Sequence, residues 1–147
     1  MDRVDLAIIE QLRQNCRQTN TELADAVGLT PSPCLRRVRR LEEAGVITGY
    51  HASFNPDAVG RGFEVLVGIE LQDQSLENAV RFEAELVAHP EVIEARRMFG
   101  SPDFEVVIAT ENLAAYEHFL TSKLLRLPGI GQVKSRFPML RLKSRTG

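Results

Sequence analysis

Residues 30–41 constrain the fold of this chain more than any other stretch, because they combine helix-start signals with a run of arginines. Their sequence is Thr-Pro-Ser-Pro-Cys-Leu-Arg-Arg-Val-Arg-Arg-Leu. The Thr30 hydroxyl is placed to cap the first free N–H groups. Pro31 falls at the first helical position, where a missing N–H costs nothing, and Pro33 still lies in the first turn. The segment is therefore predicted to begin a helix.

The apolar residues of this helix predict one buried face. Leu35, Val38 and Leu41 recur at steps of three, which aligns them on one side. The arginines of the segment are Arg36, Arg37, Arg39 and Arg40. At about 100° per residue, the first and last of these point away from the apolar side and the middle two lie on its flanks. Because no acidic residue interrupts residues 31–41, we expect an unneutralised arginine surface that suits a polyanion.

The residues upstream decide whether this surface is more than a solvated helix face, which is the common meaning of a charge run. Thr19 and Glu22 have the spacing of a capping box. Gly28 fits the left-handed position that ends a helix. A short helix, a tight turn and the arginine helix thus follow one another, which is the order of a helix-turn-helix that binds double-stranded DNA in the major groove.

In a helix-turn-helix, the N-terminal part of the second helix reaches base edges. We expect Ser32, Leu35 and Arg36 to read bases, and Arg36 could donate to guanine O6 and N7 together. The arginines expected to contact phosphates and set the register are Arg37, Arg39 and Arg40. Asp2 is placed to cap a scaffold helix before the motif, and residues 46–51 predict a short strand after it. Together these features predict a winged helix-turn-helix over residues 1–51.

Composition sets the outer limits of these predictions. The 147 residues suit one ordinary domain or two small ones, and the 44% hydrophobic content permits a packed core. The net charge of −2 is low for a DNA-binding protein, but residues 31–41 alone carry four arginines and no acid. No apolar run approaches the ~20 residues of a membrane span, so we expect a cytoplasmic protein without a membrane partner. Cys16 and Cys34 are expected to be buried thiols, and a zinc site lacks ligands.

The second half of the chain predicts a separate domain after a hinge. Asn55-Pro56, Gly60 and Gly62 interrupt the pattern over residues 52–62, which we interpret as the hinge. Residues 63–147 then alternate as strand, helix, strand, strand, helix, strand, with strands at 63–71, 92–99, 104–109 and 130–142 and helices after Ser75 and from about Asn112. This order predicts a ferredoxin-like βαββαβ domain and an α+β fold class. The open face of such a sheet needs a cover, for which a second copy is the simplest choice.

Several motifs together resemble the Lrp/AsnC family of bacterial and archaeal transcription regulators. They are Asp2-Arg3-Val4-Asp5 with Ile8-Ile9-x-x-Leu12, Glu22-Leu23-Ala24 with Val27-Gly28-Leu29, Pro33-Cys34-Leu35-x-Arg37-Val38-x-Arg40-Leu41-Glu42, Gly45-Val46-Ile47-x-Gly49-Tyr50, Asn55-Pro56, Gly100-x-x-Asp103 and Leu127-Pro128-Gly129-Ile130. Each motif alone is weak, but their order and spacing are specific.

The resemblance implies a fold, partners and a mechanism. Family members join a winged helix-turn-helix to an effector-binding domain called RAM (regulation of amino acid metabolism). They form homodimers, and four dimers commonly assemble into an octamer. Amino acids or related metabolites bind between dimers near the turn that matches Gly100 to Asp103, and they shift assembly or the spacing of the DNA-reading helices. The implied effector is an amino acid, and no cofactor is implied.

The residues of that turn agree with an effector site. Gly100 permits a close backbone approach, and the Asp103 carboxylate could accept an α-ammonium group. The alternative is a plain turn in which Asp103 bonds its own backbone. The expected effector-binding residues are Met98, Phe99, Gly100, Ser101, Pro102, Asp103 and Phe104. Either Arg96 or Arg97 could hold a carboxylate, although exposed strand charges account for them equally well.

The turn departs from the family pattern at two positions. Many relatives carry an acidic residue and an aromatic where this chain has Ser101-Pro102, so its ligand is expected to differ or its pocket to be degenerate.

An oligomeric DNA-organising protein that senses no ligand is the main alternative. We expect no enzyme, because the three histidines are scattered, no metal-spaced cluster appears and no nucleophile has an adjacent base.

Overall fold

The computed structural model describes residues 1–140 and 142, which divide into two compact units between Ser53 and Phe54. The N-terminal unit has three helices, α1 Arg3–Gln14, α2 Asn20–Ala26 and α3 Pro31–Glu43. The C-terminal unit has four strands and two helices, in the order β1 Phe63–Leu71, α4 Leu76–Val87, β2 Val92–Arg97, β3 Phe104–Thr110, α5 Leu113–Ser122 and β4 Ile130–Arg136. The predicted α+β class and the βαββαβ order are confirmed.

Local capping signals account for the starts of the first two helices. The Asp2 side chain accepts from the N–H groups of Val4 and Asp5, and Thr19 and Glu22 form the predicted capping box. Thr30 precedes α3, but its side chain makes no capping hydrogen bond, so that prediction is wrong. The third helical residue is Pro33, which has no N–H for a Thr30 hydroxyl to accept from.

The core of the N-terminal unit shows that α3 is rotated from the predicted orientation. Cys34 and Leu41 are buried and Val38 packs against the same cluster, so the buried face follows an i, i+4, i+7 spacing. Leu35 is 39% exposed, and its predicted place on the buried face is wrong. The expected burial of Cys34 is confirmed, whereas Cys16 is exposed and its expected burial is wrong.

The predicted strand of the wing is absent. Residues 46–51 adopt no strand conformation, and no strand of the described part of the chain lies beside them to supply ladder partners. The N–H groups of Val46 and Ile47 instead donate to the Leu41 carbonyl oxygen, which turns the chain back on the end of α3. The Tyr50 hydroxyl donates to Glu42 at 2.7 Å and holds the segment there.

The sheet is antiparallel in the order β2-β3-β1-β4. Alternate residues of β1 and β3 are buried with α4 and α5 in one cluster, so both helices cover the same face. Two strands are shorter than predicted. Strand β2 ends at Arg97, and the Met98 N–H donates to the Asp103 carbonyl oxygen across the turn that follows. Strand β4 ends at Arg136, so the prediction is wrong for residues 137–140 and 142, while residue 141 lies outside the described residues.

The expected hinge, residues 52–62, contains a short 3₁₀ helix at Asp57–Val59. A second 3₁₀ helix, Leu124–Arg126, follows α5 before β4 begins.

Candidate DNA-binding and effector-binding sites

The exposed side of α3 carries three polar side chains, with one leucine at the edge of the set. The residues that share this side are Ser32, Leu35, Arg36 and Arg39. At 3.6 residues per turn they fall within about 100° of the helix circumference. Arg36 and Arg39 make no ion pair with any acidic residue of the described part of the chain. Two unneutralised guanidinium groups therefore face outward beside a hydroxyl and an apolar side chain.

The other two arginines of α3 are paired with acidic residues, which corrects the predicted unneutralised surface. Arg37 Nη1 lies 2.7 Å from Asp2 Oδ2 and 2.8 Å from Asp5 Oδ1. Arg40 Nη2 donates to both Asp5 oxygens at 2.9 Å. The carboxylates belong to the first turn of α1, which tertiary packing places beside α3. Neutralisation comes from another helix, so inspection of the arginine segment alone missed it.

This acidic pair is held in its charged form. The Asp2 pKa is lowered to about 2, first by the Asp5 backbone N–H and then by the Arg37 guanidinium. The Asp5 pKa is also lowered, first by the Asp2 backbone N–H and then by Arg37, against the opposing effect of burial. The Asp5 side chain is only 1% exposed, and it accepts hydrogen bonds from both arginines. The cluster joins α1 to α3 through four hydrogen-bonded charges.

We expect acid to weaken this junction within a defined pH range. A lowered carboxyl pKa stabilises the folded state above the ordinary value of 3.8, and this contribution disappears as pH falls toward about 2. Thermal midpoints measured between pH 7 and pH 2 should fall less steeply below pH 4 for Asp2→Asn than for the unmodified protein, because asparagine caps a helix without titrating. Equal pH dependence of both proteins would contradict the assignment.

The turn after β2 is attached to β1 through Asp103. Its Oδ2 accepts from the Leu71 backbone N–H at 2.8 Å, and its Oδ1 lies 3.5 Å from Gln74 Nε2. The alternative of an Asp103 side chain bonded to its own backbone is therefore wrong. A carboxylate has about four acceptor positions, so this arrangement leaves capacity for a ligand donor.

A cavity of about 170 Å³ lies beside this turn, at the edge of the helix-covered side of the sheet. It is lined by Leu71, Gln74, Ala79, Arg97, Met98, Phe99, Gly100, Asp103 and Phe104. Five of the seven expected effector-binding residues line it together. Sequence reasoning missed Leu71, Gln74 and Ala79, which come from the end of β1, the following loop and α4. Their positions carry no local signal, because only the packing of α4 on the sheet brings them to the turn.

Ser101 and Pro102 do not line the cavity. Ser101 Oγ donates to Glu70 Oε1 at 2.5 Å, and Pro102 packs over Gly68, where an added Cβ would lie 3.2 Å from the proline Cγ. Gly68 and Glu70 alternate with the core residues Val67, Ile69 and Leu71 of β1, so they face the opposite side of the sheet. The turn therefore contacts both faces of the sheet. Five of the expected effector-binding residues lie at the cavity on the helix-covered face, and Ser101 and Pro102 lie on the other face.

The two arginines at the end of β2 also divide between the faces. Arg97 lines the cavity, with Nη1 3.3 Å from Glu83 Oε1 on α4. Arg96 bonds to Glu94 and lies beside Leu66 and Val107 on the other side. Of the two candidates for a carboxylate-binding residue, only Arg97 reaches the same cavity as Asp103.

Within residues 1–140 and 142, no three His, Cys, Asp or Glu side chains cluster so that they could hold a metal ion. None of the helices described has the length and hydrophobicity needed to cross a membrane.

Each of the two units matches a known protein family. A model of winged helix-turn-helix DNA-binding domains matches residues 1–48, and the Lrp/AsnC ligand binding domain matches residues 64–147. The Bkd operon transcriptional regulator of Pseudomonas aeruginosa is 37% identical over 139 residues, covering 95% of this chain and 91% of that protein. The leucine-responsive regulatory protein of Rhizobium meliloti is 37% identical over 143 residues, covering 97% and 92%.

Solved structures of similar regulators superpose on nearly the whole chain. A Neisseria meningitidis transcriptional regulator in complex with L-Met superposes with a TM-score of 0.93 at 30% identity, covering 98% of this chain and 93% of that one. An AsnC family regulator from Agrobacterium tumefaciens superposes with a TM-score of 0.93 at 33% identity, covering 100% and 95%. The resemblance seen in the sequence motifs is thereby confirmed, and the chain belongs to the Lrp/AsnC family of transcriptional regulators.

Proposed function

We propose that this protein is a sequence-specific DNA-binding regulator whose DNA binding or assembly responds to an amino acid with an apolar side chain. The observation that carries the effector part is the cavity beside the 98–103 turn. It holds one cationic group, Arg97, and one carboxylate, Asp103, above an apolar floor. A free amino acid carries the complementary charges and an apolar side chain in one small molecule.

The proposed binding mode follows from these groups. The Arg97 guanidinium donates to the α-carboxylate, which a planar fork can hold through two parallel hydrogen bonds. Asp103 accepts from the α-ammonium group while remaining bonded to the Leu71 N–H. Ala79 and Phe104 contact the ligand side chain. The cavity volume of about 170 Å³ suits a single amino acid better than a nucleotide or a larger metabolite.

Two relatives support an apolar amino acid. One is named a leucine-responsive regulatory protein, and another was solved as an L-Met complex. Ser101 and Pro102, which depart from the family pattern, lie against Glu70 and Gly68 rather than in the cavity. Ser101 and Pro102 therefore change how the turn is attached to β1, and they leave the groups that line the cavity unchanged.

The DNA part of the proposal assigns separate roles to the side chains of α3. We infer that Ser32, Leu35 and Arg36 contact base edges and that Arg39 contacts a phosphate. Arg37 serves mainly to hold α3 against α1 through Asp2 and Asp5. Arg40 also bonds Asp5, but its side chain is largely exposed and keeps donors free for a phosphate.

We also propose self-association. The outer face of the sheet exposes Leu66 near its centre among charged neighbours such as Arg136, and a second copy would cover it. The resulting homodimer, and the octamer of four dimers expected from the family, are testable by light scattering coupled to size-exclusion chromatography.

The test of the effector proposal is fluorescence anisotropy on DNA upstream of the protein's own gene, in excess competitor DNA, with and without the twenty amino acids. We expect an apolar amino acid to shift binding. Arg97→Gln should raise the required concentration about tenfold to a hundredfold, because it removes a charge-assisted contact worth about 1.5–3 kcal/mol. Arg96→Gln is the matched control and should respond like the unmodified protein. Specific DNA binding that no amino acid changes would instead favour the ligand-independent DNA-organising protein.

A further inference from the structure

The proposed function does not say which chemical group of a base Leu35 contacts, and Leu35 is an exposed leucine at one edge of the exposed side of α3. Leu35 is 39% exposed, although the residue before it, Cys34, is completely buried. The core positions of the helix are filled by Cys34, Val38 and Leu41, so packing of the N-terminal unit does not need Leu35. An isolated exposed leucine is ordinary on a protein surface, and its meaning here depends on its neighbours.

Two of its neighbours on the helix surface carry hydrogen-bonding groups. Ser32 lies three residues before Leu35 and Arg39 lies four residues after it. Arg36 lies at the other edge of the same exposed side and has no acidic partner among the described residues. Helical side chains lean toward the N-terminus, so Leu35 covers the surface near Ser32. That end of a recognition helix is the one that reaches base edges.

The major groove offers one prominent apolar group, the C5 methyl of thymine. The other features that distinguish base pairs there are hydrogen-bond donors and acceptors, which suit Ser32 and Arg36 but not a leucine. We propose that Leu35 packs against a thymine methyl group, so that each recognition helix selects a T·A pair at one position beside the base read by Arg36. This inference rests on the proposed DNA-binding function and specifies what one of its residues recognises.

The experiment separates the methyl group from the rest of the base. A binding site is first selected from random duplexes with the unmodified protein. Each thymine of the selected site is then replaced singly by deoxyuridine, which lacks only the methyl. Affinity is measured by competition anisotropy at one fixed salt concentration. We expect one thymine in each half of the site whose replacement lowers affinity about fourfold, the effect of leaving one methyl-sized contact unmade.

Variants of the protein test whether Leu35 is the residue that contacts this methyl group. Leu35→Ala should bind the thymine and deoxyuridine versions of that position equally, because the contacting side chain is gone. Leu6→Ala removes an exposed leucine from α1, 52% exposed against 39% for Leu35, and should keep the full fourfold difference. Both variants shorten exposed side chains, and equal thermal midpoints would verify that each remains folded.

The outcomes distinguish this inference from the function on which it rests. If a site is selected but no deoxyuridine weakens binding, or if Leu35→Ala keeps the difference, Leu35 does not read a methyl group and the DNA-binding proposal stands. If random DNA yields no enriched site, sequence-specific binding itself is wrong and the inference fails with it. A methyl effect that disappears only in Leu35→Ala supports both.

Discussion

Arg36→Ala is expected to weaken binding to the selected DNA site by about 1–3 kcal/mol for each recognition helix and to abolish the preference at one base pair. Arg36 is exposed on the side of α3 that we propose contacts DNA, and it has no acidic partner among the described residues. Its guanidinium is therefore free to donate to both acceptors of a guanine. Selection of sites by the variant, followed by comparison of base frequencies position by position, measures the effect.

Two other arginines of the same helix provide the contrast. Arg39→Ala should lower affinity almost equally for all sequences and reduce the slope of log affinity against log salt by about one. Arg37→Gln should leave that slope unchanged, because its guanidinium is bonded to Asp2 and Asp5. A uniform loss for Arg36→Ala would show that Arg36 contacts the backbone. A reduced slope for Arg37→Gln would show that DNA displaces the aspartates.

Phe82→Ala is expected to reduce the free energy of unfolding of the C-terminal unit by about 3–5 kcal/mol, the usual cost of emptying a buried aromatic site. Phe82 lies on α4 and is completely buried. Its ring centroid lies 5.0 Å from that of Phe104, which begins β3 and lines the cavity proposed to bind the effector. The substitution should therefore also remove the amino acid response, since the floor of the cavity loses its support.

Val80→Ala is the control for this effect, because Val80 lies on the same helix and is 54% exposed. A surface change of this kind usually alters stability by less than about 0.5 kcal/mol. Hydrogen exchange of the β1 and β3 amides reports on the C-terminal unit, and the α1 amides provide an internal reference. Equal exchange rates in the two variants would contradict the prediction, as would a loss of protection confined to α1.

Local signals were sufficient to predict the order of secondary structure. The capping residues Asp2 and Thr19 act within three positions of themselves, so the chain carries that information in each short window. The strict alternation of β1 likewise predicts its buried face without knowledge of its neighbours. The two wrong predictions for α3 also have local causes. Thr30 forms no capping hydrogen bond because Pro33 has no N–H, and Leu35 is exposed because Cys34 occupies the buried position.

Residues 46–51 show where local signals stop being sufficient. Their composition resembles a strand, yet a strand also requires a partner ladder, and the described part of the chain provides none at that place. The turn at residues 98–103 shows the same limit. Its Ser101 donates to Glu70 and its Asp103 accepts from the Leu71 backbone N–H, and only the pairing of β1 with β3 brings these residues together.

The two-part organisation, the helix-turn-helix order, the βαββαβ order and the family could all be predicted from residue patterns, because they depend on short stretches and on the order of motifs. Which arginines of α3 are free of acidic partners depends instead on how the helices pack. Asp2 and Asp5 lie 32 to 35 residues from their arginine partners, and the packing of α1 on α3 brings them together. A charge distant in sequence neutralises another only when the fold places them a few ångströms apart, since electrostatic interaction depends on separation in space.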